Sequence, residues 1–154
     1  MCNIFGKGVQ FCTLFFLYNL IKEQETGMAY VYFNPNPSKK LVGDCVIRGL
    51  SKLTGRSWKD IHIDLCLQSF AMDDIPSSNS VWGSYLYKKG YRQHVIPDTC
   101  PNCYSVRKFC LDYPEGSYLL ATGSHVIAVE SGNYFDTWDS GDEVPIYYWR
   151  KEVK

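Results

Sequence analysis

The chain has 154 residues, 45% of them apolar and 16% aromatic, which is enough to close a hydrophobic core and excludes an intrinsically disordered chain. Sixteen acidic and sixteen basic residues are interspersed and cancel, so there is no single-sign field of the kind that nucleic acids or anionic membranes select. The seven cysteines are odd in number and irregularly spaced, which points to a reducing compartment and not to a disulfide framework.

The first feature in chain order is Val9-Gln-Phe-Cys-Thr-Leu-Phe-Phe-Leu-Tyr-Asn-Leu-Ile21, apolar and preceded by Lys7. It has the look of a signal-peptide core. It is short for a membrane span, carries Gln10 and Asn19, and runs into Lys22-Glu-Gln-Glu25 with no small-x-small cleavage site. Residues 1–27 are therefore read as an N-terminal extension, with Met28 as an alternative start, and residues 28–154 as one domain. The expected location is cytoplasmic, or secreted if the extension is a genuine signal, with no membrane and no nucleic-acid partner.

Tyr30 to Phe33 reads as a short extended segment closed by Asn34-Pro-Asn-Pro37, where each proline pushes the preceding asparagine out of the helical region. A helix is expected from about Cys45 to Thr54, with Val46, Ile47, Leu50 and Leu53 on one face, Asp44 as N-cap and Gly55 as the stop. Ser57-Trp-Lys-Asp60 resembles a capping box opening a second helix that runs to about Ser69. Asn79-Ser80 caps a third reaching Gly90, and a fourth runs from Ser105 to before Pro114. His94 falls in a short strand. The pattern then changes to strands at 117–122, 125–130, 133–138 and 145–149, separated by glycine-containing turns. Helices first and strands second predict an α+β fold, with N-terminal helices packed on a C-terminal antiparallel sheet.

Cys45 at a helix start feels unsatisfied N–H groups and the positive end of the helix dipole, which favour thiolate over thiol. A nucleophile of this kind needs a base, and the base needs an orienting group. A two-residue turn at Ser131-Gly132 sets Ile127 opposite Asp136 and His125 opposite Trp138, so that His125 and Asp136 become diagonal neighbours on one sheet face. A three-residue loop would instead set Asp139 opposite His125. Asp136 is preferred because Tyr134-Phe-Asp136 reads as continuous strand, whereas Asp139-Ser-Gly-Asp142 reads as a turn.

Asn34-Pro-Asn-Pro, Gly43-Asp-Cys-Val-Ile-Arg48, His125-Val-Ile-Ala-Val and Tyr134-Phe-Asp-Thr-Trp-Asp139 together resemble the papain-like cysteine peptidases, in the form seen in small bacterial and phage-type proteins. The resemblance runs from about Met28 to Trp149 and lies in the order and spacing of the motifs. It implies a papain-like fold with Cys45 as nucleophile, His125 as general base and later acid, Asp136 as orienting carboxylate, a peptide or protein substrate, and no cofactor. Papain carries a glutamine a few residues before the cysteine as oxyanion donor. Lys39 stands at the nearest equivalent spacing here, and Asn36 is taken as the substitute donor, with Asn34 close behind.

Other readings attach to the same residues. The triad also serves amidases and transglutaminase-type acyl transferases, and a non-enzymatic binding module would leave Cys45 an ordinary core thiol. Cys100-Pro-Asn-Cys103 is a half-site for zinc that Cys110 with His94 or His125 would complete in a zinc-stabilised interaction protein. Only one such pair is present, so no metal is expected. His62 and His94 have no partners of this kind in the sequence.

Overall fold

The computed structural model describes residues 28–98 and 100–152; the reading of residues 1–27 lies outside them. The chain order is β1 (Tyr30–Tyr32), α1 (Cys45–Thr54), α2 (Trp58–Phe70), α3 (Asn79–Lys88), β2 (Tyr91–Val95), α4 (Val106–Asp112), β3 (Ser117–Ala121), β4 (Val126–Glu130), β5 (Asn133–Asp136) and β6 (Tyr147–Lys151). Among the described residues the fold is α+β, four helices around a six-stranded mixed sheet of order β1-β5-β4-β3-β6-β2. Among the described residues, no helix is long and apolar enough to cross a membrane.

The purely antiparallel C-terminal sheet expected from sequence is corrected in two respects. The sheet's edge strands, β1 and β2, precede the C-terminal strands, β1 ahead of all four helices and β2 between α3 and α4, and β1 lies parallel to β5, pairing Tyr30 with Tyr134 and Tyr32 with Asp136. A three-residue strand carries too little alternation to disclose a partner more than a hundred residues away. The helices also divide between the faces. α1, α2 and α3 cover one face, where Val46, Leu50, Ile61, Leu65, Trp82 and Leu86 meet Leu119, Val126, Ala128 and Trp149. α4 covers the other, with Val106, Phe109 and Cys110 against Leu120, Ile127, Val129 and Tyr148.

The helix starts follow local chemistry, with two departures. Ser57 caps α2 by accepting from the Asp60 amide, and Ser105 caps α4 by accepting from Lys108. Asp44 holds the N-cap position of α1 but makes no capping bond, because its carboxylate is drawn to Arg48 and Trp58. In α3 the N-cap is Ser78, and the Asn79 side chain instead accepts from Trp82 Nε1. The last strand begins two residues later than expected, at Tyr147, since Pro145 has no N–H to give a ladder.

Two backbone details decide where the candidate site's side chains arrive. The β4–β5 hairpin pairs Ala128 with Phe135, Val129 with Tyr134 and Glu130 with Asn133, leaving the two-residue turn Ser131-Gly132. Both turn residues have positive φ, 49° and 73°, the arrangement that matches the twist of the flanking strands. On α1, a Cβ built on Gly49 would lie 2.6 Å from Leu119 Cδ1 and 3.2 Å from Val126 Cγ1. The absent side chain lets α1 lie close against β3 and β4, one turn from Cys45.

Candidate functional site

Strand parity sets Ile127, Val129 and Tyr134 on the α4 side of the sheet, and His125 and Asp136 continue that parity. Both stand at strand ends. His125 immediately precedes β4 and Asp136 is the last residue of β5, at the same end of the sheet, and there they meet the first turn of α1. His125 Nε2 and Asp136 Oδ2 are 2.5 Å apart, and the remaining ring nitrogen, Nδ1, is the one left for the Cys45 thiol. The Thr122 hydroxyl fixes the approach by accepting from the His125 amide at 3.0 Å. Trp138, 46% exposed, lies against the imidazole with ring centroids 5.5 Å apart.

The three groups shift one another. Burial works against a charged Cys45. The hydrogen bond and charge of His125, the Val126 amide and the Arg48 charge outweigh it and bring the thiol below its ordinary value. Burial likewise disfavours the His125 imidazolium, but the Asp136 carboxylate and the Cys45 sulfur raise its pKa to about 9. Asp136, only 1% exposed, is lowered although burial opposes it, chiefly by His125, with smaller help from the Ser140 hydroxyl and the Thr137 amide. These directions move Cys45 toward thiolate and His125 toward imidazolium, beside an ionised carboxylate.

The expected third residue is the one found beside the histidine. Asp139 is taken up elsewhere: it accepts from the Tyr134 hydroxyl at 2.5 Å and from Arg107 Nη2 with both oxygens at 2.9 Å, in a loop that Arg107 also ties through Asp142. His94 stacks on Tyr148 and His62 lies edge-on to Trp58. Cys100 and Cys103 are exposed while Cys110 is buried on the inner side of α4, and no cluster of three or more metal-type ligands forms among the described residues.

The asparagines before Cys45 fold their own loop. Asn34 accepts from the Asn36 amide and donates to the Lys39 and Lys40 carbonyls, so its whole side-chain amide is spent. Asn36 uses Oδ1 to accept from the Ser38 amide. Leu41, Val42 and Gly43 lead from this loop into α1 as exposed residues.

Sequence reasoning missed Arg48 and Asp44. Arg48 Nη1 donates to Asp44 Oδ1 at 2.5 Å and Nη2 to Asp136 Oδ1 at 2.8 Å, while Trp58 Nε1 donates to Asp44 Oδ2 at 2.8 Å. All three charged residues are buried. The signal was present: Asp44 and Arg48 are four apart, the spacing at which helical side chains meet, and Arg48 follows Cys45 by one turn. Set against known proteins, the chain matches no family model, and no curated protein or solved structure is significantly similar to it.

Proposed function

We propose that this protein is a cysteine hydrolase of papain-like type, cleaving a peptide or isopeptide bond through a thioester on Cys45. The observation that carries the reading is the meeting of Cys45, His125 and Asp136 from three separate segments, with the thiol lowered by the imidazole and the imidazole raised by Asp136 and the sulfur. A buried cysteine without such partners moves the other way.

In the reaction, Cys45 Sγ attacks the carbonyl carbon and the C=O π electrons move to oxygen. The Cys45 amide lies in the first turn of α1, whose N–H groups have no intrahelical acceptor, and is one oxyanion donor; the Asn36 side-chain NH2 is the second. His125 gives its Nδ1 proton to the leaving amine as the C–N bond breaks, which leaves an acyl-enzyme and a neutral imidazole. That imidazole takes a proton from water, the hydroxide adds to the thioester, and collapse expels the thiolate beside a regenerated imidazolium. Asp136 holds Nε2 throughout and keeps Nδ1 facing the sulfur.

The test is to trap the thioester. The full chain incubated with peptidyl nitrophenyl esters should gain the acyl mass on Cys45 and release it slowly as the acid, and Cys45→Ala should gain nothing. Acylation spread over the exposed cysteines, unaffected by Cys45→Ala, defeats the proposal. Diversion of the acyl group to an added amine faster than to water would move the reading to an acyl transferase on the same residues.

A further inference from the structure

The reaction steps above use neither Arg48 nor Asp44, yet these two residues flank the thiol and are as deeply buried as the core. A guanidinium in such a place is costly unless every charge near it is compensated. Here the signs alternate along one chain of contacts. Asp44 is negative, Arg48 positive, Asp136 negative, and beyond them come the imidazole of His125 and the sulfur of Cys45. Trp58 closes the far end by donating to Asp44.

We propose that Arg48 is a positioning residue for this site: its guanidinium ties Asp136 to the first turn of α1, so that one carboxylate oxygen alone faces His125 and the thiol is held against the imidazole. The proposal rests on the reading of Cys45 as the nucleophile. Asp136 Oδ1 takes Arg48 Nη2 at 2.8 Å and the Thr137 amide at 2.7 Å, which leaves Oδ2 for His125 Nε2. Donors on both oxygens stop the carboxylate from rotating about its terminal bond, and the imidazole it holds is aimed accordingly. The helix end of the strut is equally fixed, because Nη1 is engaged by Asp44, one residue before the thiol.

An arginine is required for this geometry. Its planar fork reaches two carboxylates at once, whereas a lysine ammonium is a single point charge that would settle on one of them. The Arg48 charge also favours the Cys45 thiolate. The titratable groups facing the thiol region are Asp44 at the N-cap of α1, Arg48 from α1, His125 from the β3–β4 turn and Asp136 from β5; on the α2 side, Trp58 donates to Asp44 and meets His62 edge-on.

The test follows Cys45 alkylation by iodoacetamide from pH 5 to 9, read by peptide mass spectrometry on the full chain, with exposed Cys66 as internal standard and thermal melts to keep each variant folded. Arg48→Met strands two buried carboxylates and threatens the fold, so Arg48→Lys, which keeps the charge, is the decisive variant. At pH 6.5 Arg48→Lys should label Cys45 roughly threefold more slowly and a folded Arg48→Met roughly tenfold more slowly, with the midpoint displaced upward and Cys66 unchanged. A folded Arg48→Lys with the wild-type rate and midpoint overturns the proposal and makes Arg48 a structural ion pair. Wild-type Cys45 that labels no faster than Cys66 is a different failure, because it removes the hydrolase reading on which the proposal stands.

Discussion

Cys45 and Cys110 are pressed against opposite faces of one sheet, and their thiols are driven in opposite directions. Cys110 is 1% exposed among Val106, Phe109, Leu120, Tyr134 and Tyr148, and burial alone pushes it up to about 12. It is a small apolar side chain in an aromatic core. Burial acts on Cys45 in the same sense, but an imidazole, an amide and a guanidinium converge on it and the net shift is downward. The difference lies in what stands at the ends of the strands. Over the middle of the sheet both faces are covered mainly by aliphatic and aromatic side chains. At its end His125, Asp136 and the start of α1 bring polar groups together where each finds a partner. Burial alone raises a thiol; burial beside fixed groups that favour the thiolate lowers it.

The sharpest way to break the comparison is to exchange the fates of the two thiols. Cys45→Ala should lower hydrolysis by on the order of 10^4-fold or more while leaving the circular dichroism spectrum intact. Cys110→Ala should keep full activity and lose about 1 kcal/mol of stability in a denaturant titration, through a small cavity under α4. Equal activity loss in both variants would show that the two faces do not differ in the way described.

A second contrast lies within one hairpin and is nearly as large. Asp136→Asn preserves the shape but returns the imidazole to a wrong or mobile tautomer, and kcat should fall by about 10^2 to 10^4-fold. Asp139→Asn, three residues on, weakens the contacts with Arg107, the Tyr134 hydroxyl and the Gly141 amide, none of which touches the imidazole, so kcat should stay near wild type. If Asp139→Asn is the damaging substitution, the two acids have been assigned the wrong way round.

The pH dependence separates the roles of sulfur and imidazole. The fold raises His125 from its ordinary 6.5 to about 9, so this contribution to stability is fully present below pH 6.5 and is lost as pH rises through about 9. Cys45 and Asp136 are lowered, so their contributions are present above their ordinary values of 9.0 and 3.8 and fade as pH falls through the folded ones. Amide hydrolysis needs the imidazolium as acid and should decline above about pH 9. Alkylation needs only the thiolate and should not. Parallel decline of both rates at high pH would point to unfolding in place of His125 deprotonation.

The smallest effect tests the approach of α1. Gly49→Ala forces Leu119 and Val126 to give way and should cost about 1–3 kcal/mol in melting experiments, with a several-fold fall in kcat as Cys45 and Arg48 shift away from the strand ends. Stability lost with kcat untouched would mean that the close packing serves the core alone.

Much of this arrangement was legible in the sequence because it is local. Cys45 to Thr54 repeats apolar residues at helical spacing, and Ser131-Gly132 between two alternating runs specifies a two-residue turn, from which the pairing of His125 with Asp136 follows by parity. Asp44, by contrast, has the residue type and place of a cap and does something else, because Arg48 and Trp58 compete for its carboxylate more strongly than the helix amides do. The parallel β1–β5 pair and the Arg48–Asp136 contact span 104 and 88 residues, and no periodicity within either segment encodes a partner so far away. The face chosen by α1 was equally hidden, since parity alone would set His125 and Asp136 on the α4 side.

The most direct measurement of the central claim is a competition. The full chain is treated at pH 6.5 with a fraction of an equivalent of a small electrophile, and the label on each cysteine peptide is counted in wild type and in His125→Ala. Half-buried Cys45 should take most of the label ahead of the exposed Cys66, Cys100 and Cys103, and should lose that preference in His125→Ala. Label distributed by exposure alone, with Cys45 behind those three and indifferent to His125, would contradict it.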